Sequence, residues 1–125
     1  MKYCLLILGM LMSSVLLGQQ LPDVKWSTDY QDFGQVVAGD SVALTFDFEN
    51  AGPSPLVISK VITTCGCTVP TYPKEPVKAG QKAQILVHFN SRGKIGRQNK
   101  LIRVVCNVAE GYKVLRISGT VIEKD

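Results

Sequence analysis

Val42-Ala43-Leu44-Thr45-Phe46-Asp47-Phe48-Glu49 is the stretch whose alternation decides the fold. Val42, Leu44, Phe46 and Phe48 fall on one side of an extended chain, and Ala43, Thr45, Asp47 and Glu49 on the other. Successive side chains of a strand face opposite sides of its sheet, so this is the pattern of a half-buried antiparallel strand. Asn50-Ala51-Gly52-Pro53 then ends it with residues suited to turns.

Working outward, similar runs recur between Gly, Pro, Asn and Asp. A short strand is expected around Phe33 to Val36, ahead of the turn Ala38-Gly39-Asp40. Leu56 to Thr63 is rich in Val, Ile and Thr. Ala83 to Asn90 sets Ile85, Val87 and Phe89 against Leu86 and His88. Leu101 to Asn107 and Val114 to Ile122 follow, separated by Glu110-Gly111. Pro70 to Gly80 holds Pro70, Pro73 and Pro76 and reads as a long crossover loop. No helical periodicity of useful length follows Gly18. Six or seven short strands in about 100 residues fit an all-β, immunoglobulin-like antiparallel β-sandwich. The Cys…Trp…Cys order of antibody domains is missing, because Trp26 precedes Cys65, Cys67 and Cys106.

The first 18 residues read differently. Lys2 supplies a positive charge, and Tyr3 to Gly18 carries none. A basic n-region followed by an apolar h-region is a secretory signal, and about 16 residues is short for a membrane span. Cleavage is expected before Gln19, and Cys4 lies too early to become a lipid-modified N-terminus. An uncleaved N-terminal anchor is the alternative. Removing residues 1–18 from 125 leaves 107, enough for one domain. The organisation expected is a signal over 1–18, an extension over 19–28 and a sandwich over 29–125. The product is periplasmic or secreted, with no membrane span in the mature chain.

The formal charge of +4 falls to +3 without Lys2. Residues 19–50 hold six acids against Lys25 alone, whereas Arg92, Lys94, Arg97, Lys100 and Arg103 follow one another with no acid between. No aromatic residue interleaves these cations to stack bases, so nucleic acid is not an expected partner. A solvated strand-and-turn face accounts for them.

Thr64-Cys65-Gly66-Cys67-Thr68 is the one local constellation that could carry chemistry. Loss of Cys4 leaves Cys65, Cys67 and Cys106, an odd number for an exported chain. Gly66 permits the positive φ that a tight turn between the two sulfurs would require. Residues two apart in an extended chain lie near or beyond the reach of a relaxed disulfide, and a strained bridge is easily reduced. Three pairings are open. The pair could be structural, a redox or partner-linked thiol site, or a soft-metal site for copper(I) or zinc joined by Cys106 or His88. C-x-C is tighter than the usual zinc spacing, and His88 falls opposite Ile85, Val87 and Phe89 on its strand. The pair is expected at a strand end near the rim of the sandwich, constrained on one side and accessible on the other. No nucleophile elbow, phosphate loop or His-rich metal motif is present, so neither catalysis, a resident metal nor a cofactor is expected.

Several short motifs occur in one order: D-F-G at 32–34, G-D-S-V at 39–42, F-D-F-E-N-A-G at 46–52, P-L-V-I at 55–58, C-G-C-T at 65–68, K-A-G at 78–80 and I-S-G-T-V at 117–121. Together they resemble the small secreted bacterial domain of unknown function 1573. That domain is similar to the immunoglobulin-like modules of major sperm protein, Hydin and abnormal-spindle proteins. The resemblance spans about Asp29 to Ile122. It implies a seven-stranded sandwich, supplies no catalytic residues, and makes Cys65-Gly66-Cys67 its most recognisable feature. Cys106 has no assigned role in it. Gly34, Gly39, Asn50, Gly52, Gly66, Gly80 and Gly119 are read as structural turn residues. The function expected is a non-enzymatic protein-binding or structural module of the bacterial envelope, meeting its partner at a sheet edge. A thiol-redox or copper-handling protein using Cys65 and Cys67 is the alternative.

Overall fold

The computed structural model describes residues 20–125, so the signal reading and Cys4 lie outside the described residues. Eight strands follow in order: β1 Val24–Trp26, β2 Tyr30–Val37, β3 Ser41–Asn50, β4 Ile58–Thr63, β5 Thr68–Thr71, β6 Lys82–Asn90, β7 Gly96–Cys106 and β8 Tyr112–Ile122. They form two four-stranded sheets, β1-β3-β6-β5 and β2-β8-β7-β4. This is an all-β, immunoglobulin-like sandwich, of eight strands rather than seven.

Two strands escaped the sequence pattern because each is very short. β1 lies inside residues 19–28, the stretch read as an extension, and pairs with β3 from Val24 opposite Asn50 to Trp26 opposite Phe48. β5 opens the segment read as a proline loop and includes Pro70 opposite Val87. β5 is an edge strand, which is where a sheet tolerates proline. The Asn90 N–H donates to the Cys67 carbonyl at 2.8 Å. By strand alternation the ladder bonds then fall on Cys67, Val69 and Thr71, and the missing N–H of Pro70 points off the edge.

One pair departs from the antiparallel expectation: β2 runs parallel to β8, with a bulge between Asp32 and Gln35. β1 and β2 are nearly one extended run that changes sheet across Ser27–Asp29. A strand antiparallel to β3 in one sheet therefore arrives parallel to β8 in the other. Gly34 stands in that bulge with φ 75° and donates its N–H to the Asp32 carboxylate at 2.7 Å.

The core lies between the sheets. Phe46, Ile85, Val87 and Phe89 from the first sheet meet Ile102, Val104, Leu115 and Ile117 from the second, all with no exposed surface. Trp26 packs on Phe48 with ring centroids 4.8 Å apart, and Phe33 on Phe89 at 5.2 Å. Gly119 lies within β8 rather than in a turn, and a Cβ there would collide with the Phe33 ring. Gly52 is buried where the Pro22–Asp23 backbone crosses it, leaving no room for a side chain.

Candidate functional site

β4 ends in the second sheet and β5 begins in the first, so Thr64–Cys67 forms the crossover at one rim. Hydrogen bonds fix this turn from both sides. The Thr63 hydroxyl lies 3.0 Å from the Cys65 carbonyl oxygen and 3.1 Å from that of Thr68, which it can serve in turn. The Thr68 N–H donates to the Cys65 carbonyl at 3.3 Å, and Asn90 holds Cys67 from β6. With the chain turned in this way, the Cα atoms of Cys65 and Cys67 are 5.3 Å apart and the two residues form a disulfide. That separation lies inside the usual disulfide range. Gly66 does not use a positive φ, and a side chain there would meet open space.

Both cysteines are partly exposed. The hydroxyl of Thr68, a buried residue, lies 3.7 Å from the Cys65 sulfur and 3.8 Å from that of Cys67. Cys67, Gly66, Val69, His88, Asn90, Arg92 and Ser41 line an open depression on the outward side of the first sheet. His88 pairs in register with Val69 and therefore shares this depression with Cys67. The lone histidine and the C-G-C pair are thus brought together.

Cys106 is not brought to them. It pairs with Ile58 at the opposite end of β4, about 16 Å along the strand from Thr63 at the usual rise per residue. It is a free, buried thiol in the core, and burial pushes its pKa up. Among the described residues, no three of His, Cys, Asp and Glu cluster as metal ligands would.

The turn residues serve several purposes. Gly39 and Gly80 have φ of 99° and 82°, and the N–H of Gly80 donates to the Asn50 carbonyl at 2.6 Å. Asn50 is wholly buried at the end of β3. Its amide donates to the Ser54 carbonyl at 2.8 Å and the Val77 carbonyl at 2.9 Å, and its side-chain oxygen accepts from the Gly52 N–H at 3.1 Å.

A second surface was not singled out from sequence. The β4–β7–β8–β2 register lays out three cross-strand rows on the outer face of the second sheet. They run Lys60–Val105–Tyr112, Ile62–Arg103–Val114 and Leu101–Arg116–Tyr30. Tyr30, Ile62, Leu101 and Tyr112, which are 45%, 45%, 43% and 42% exposed, share this lattice. Arg103 lies over the Tyr112 ring, 4.1 Å from its centroid. Asp32 at the edge of this face is bound by Arg97 at 3.2 Å. Its carboxyl is held below the usual range, first by the Gly34 N–H and then by Arg97. The signal that could have found this face is the pair Leu101 and Val105, apolar residues on the side of β7 opposite Ile102 and Val104.

Comparisons with known proteins support the fold. A protein of unknown function from Porphyromonas gingivalis W83 matches with a TM-score of 0.71 at 18% identity, over 86% of this chain and 50% of that one. This chain therefore spans about half the length of that protein. The seventh PapD-like domain of human CEP192 matches with a TM-score of 0.70 at 12% identity, over 84% of this chain and 89% of that domain. VesB protease from Vibrio cholerae matches with a TM-score of 0.63 at 13% identity, over 78% of this chain but only 31% of the protease. At such identities these likenesses concern the sandwich alone. No curated protein matches the chain. The model of one family, the proteins of unknown function DUF1573, matches residues 24–121, and the chain belongs to that family.

Proposed function

We propose that this chain is an exported, non-enzymatic binding module that holds a protein partner on the outer face of its second sheet. The observation that carries the reading is the lattice of Tyr30, Ile62, Leu101 and Tyr112, interleaved with Lys60, Arg103 and Arg116. Tyrosines and arginines are among the side chains most enriched at protein interfaces and their energetic hot spots. Lys60, Arg103 and Arg116 stand within the three rows, which contain no acid among the described residues, so the partner surface is acidic and partly apolar.

The edges refine the expectation of strand addition. The β5 edge is poorly suited to it, because Pro70 lacks an N–H and both backbone groups of Thr68 already have partners within the turn. The β4 edge adjoins the apolar face through Ile62 and suits an added strand better. Export rests on the sequence of residues 1–18.

Placing a photoreactive amino acid at position 101, and separately at Gln84 on the outer side of the first sheet, tests this reading in the native host. Position 101 is expected to yield one discrete crosslinked protein in the envelope or extracellular fraction, and position 84 none of that species. Equal crosslinking from both positions, or recovery of the chain only in the cytosol, would contradict it.

A further inference from the structure

We propose that the Cys65–Cys67 disulfide is a thiol–disulfide exchange site, open at Cys67, which captures a cysteine carried on an acidic segment of a second protein. The site lies on the outward side of the first sheet, away from the face assigned above, and is independent of that reading.

Three features carry the inference. The turn is held by the Thr63 hydroxyl and the Asn90 N–H as well as by the sulfur–sulfur bond. Both cysteines are partly exposed, and Cys67 is the one that borders the depression. His88 and Arg92 also line the depression, and among the described residues no acidic residue lines it. A thiolate is the attacking species in disulfide exchange, and a nearby cation favours it over the thiol. The same positive charge draws a cysteine flanked by carboxylates and repels one flanked by amines.

His88 takes the proton of the incoming thiol. The resulting thiolate attacks the Cys67 sulfur, forming a new sulfur–sulfur bond to the partner. The Cys65–Cys67 bond breaks, and its electron pair leaves on Cys65 as a thiolate beside the Thr68 hydroxyl. That thiolate then takes a proton from His88 or solvent. One thiol and one disulfide become one mixed disulfide and one thiol, with no external oxidant. A second cysteine on the partner could attack the mixed disulfide at the partner's own sulfur. That would release Cys67 and leave the partner oxidised by the two electrons that reduce the Cys65/Cys67 pair.

The test uses the oxidised mature protein and two synthetic peptides, each with a single cysteine, one flanked by glutamates and the other by lysines. After acid quenching and alkylation, peptide mapping by mass spectrometry should place the adduct on Cys67 and the alkyl group on Cys65. The acidic peptide should react about tenfold faster than the basic one at low salt. Arg92→Ala should narrow that ratio to about threefold or less. In the unmutated protein, raising the ionic strength should narrow it too. An adduct on Cys65, equal rates for the two peptides at low salt, or no adduct while the circular dichroism stays native would overturn the proposal. Neither peptide needs the outer face of the second sheet, so failure here and failure of the binding face are separable.

Discussion

Asn50 shows how a residue that reads as ordinary turn chemistry becomes a structural joint. Its side-chain amide ties the Ser54 and Val77 carbonyls together, and its oxygen receives the Gly52 N–H, with Asn50 itself wholly buried. Asn50→Ala is expected to lower stability by about 2 kcal/mol, because two buried hydrogen bonds, to the Val77 carbonyl and from the Gly52 N–H, and a part-buried one to Ser54 are lost together. Urea unfolding with an unchanged slope checks this, and a loss below about 0.5 kcal/mol would contradict it. The sequence motif marked the turn but not the burial, which depends on Val77 arriving from 27 residues away. Gly119 was misread for the same reason. Its need for a missing side chain comes from the Phe33 ring, and nothing near Gly119 in sequence announces that.

At the scale of elements, alternation made the long strands legible and failed on the short ones. β3 and β6 bury every second side chain, with Phe46, Phe48, Ile85, Val87 and Phe89 inward, and their pattern could be read directly. β1 and β5 are three and four residues long, too short for a period to show. Their pairing depends on longer neighbours. β5 also carries a proline, which sequence rules assign to a loop unless the edge position is known. The C-G-C turn was placed correctly at a strand end, whereas its neighbours His88 and Arg92 come from beyond β5 and required the register. The bridge closes a loop of only three residues, so by chain entropy it stabilises the fold by about 1.5 kcal/mol at most. Cys65→Ser/Cys67→Ser should therefore stay folded, with a stability loss within about 2 kcal/mol and an unchanged circular dichroism spectrum. Collapse of the fold on losing both sulfurs would show that the bridge is a structural staple instead.

The described residues form two sheets with one shared core and two outward faces of different character. One face carries the disulfide depression with His88 and Arg92, and the other carries the tyrosine, leucine and arginine lattice. Inward alternation specified the core almost completely. It could not say which outward residues become neighbours, because that follows from strand order, and the parallel β2–β8 pair is what sets Tyr30 beside Arg116. A face that exists to bind should be replaceable without harm to the fold, since its side chains do not support the core. The most direct measurement of that claim is the yield of crosslinked partner from a Leu101→Asp/Tyr112→Asp chain with its photoreactive group at position 62, read beside its thermal midpoint. The account predicts a midpoint within about 4 °C of the parent and a crosslink yield reduced at least about tenfold. A full yield at an unchanged midpoint would contradict it.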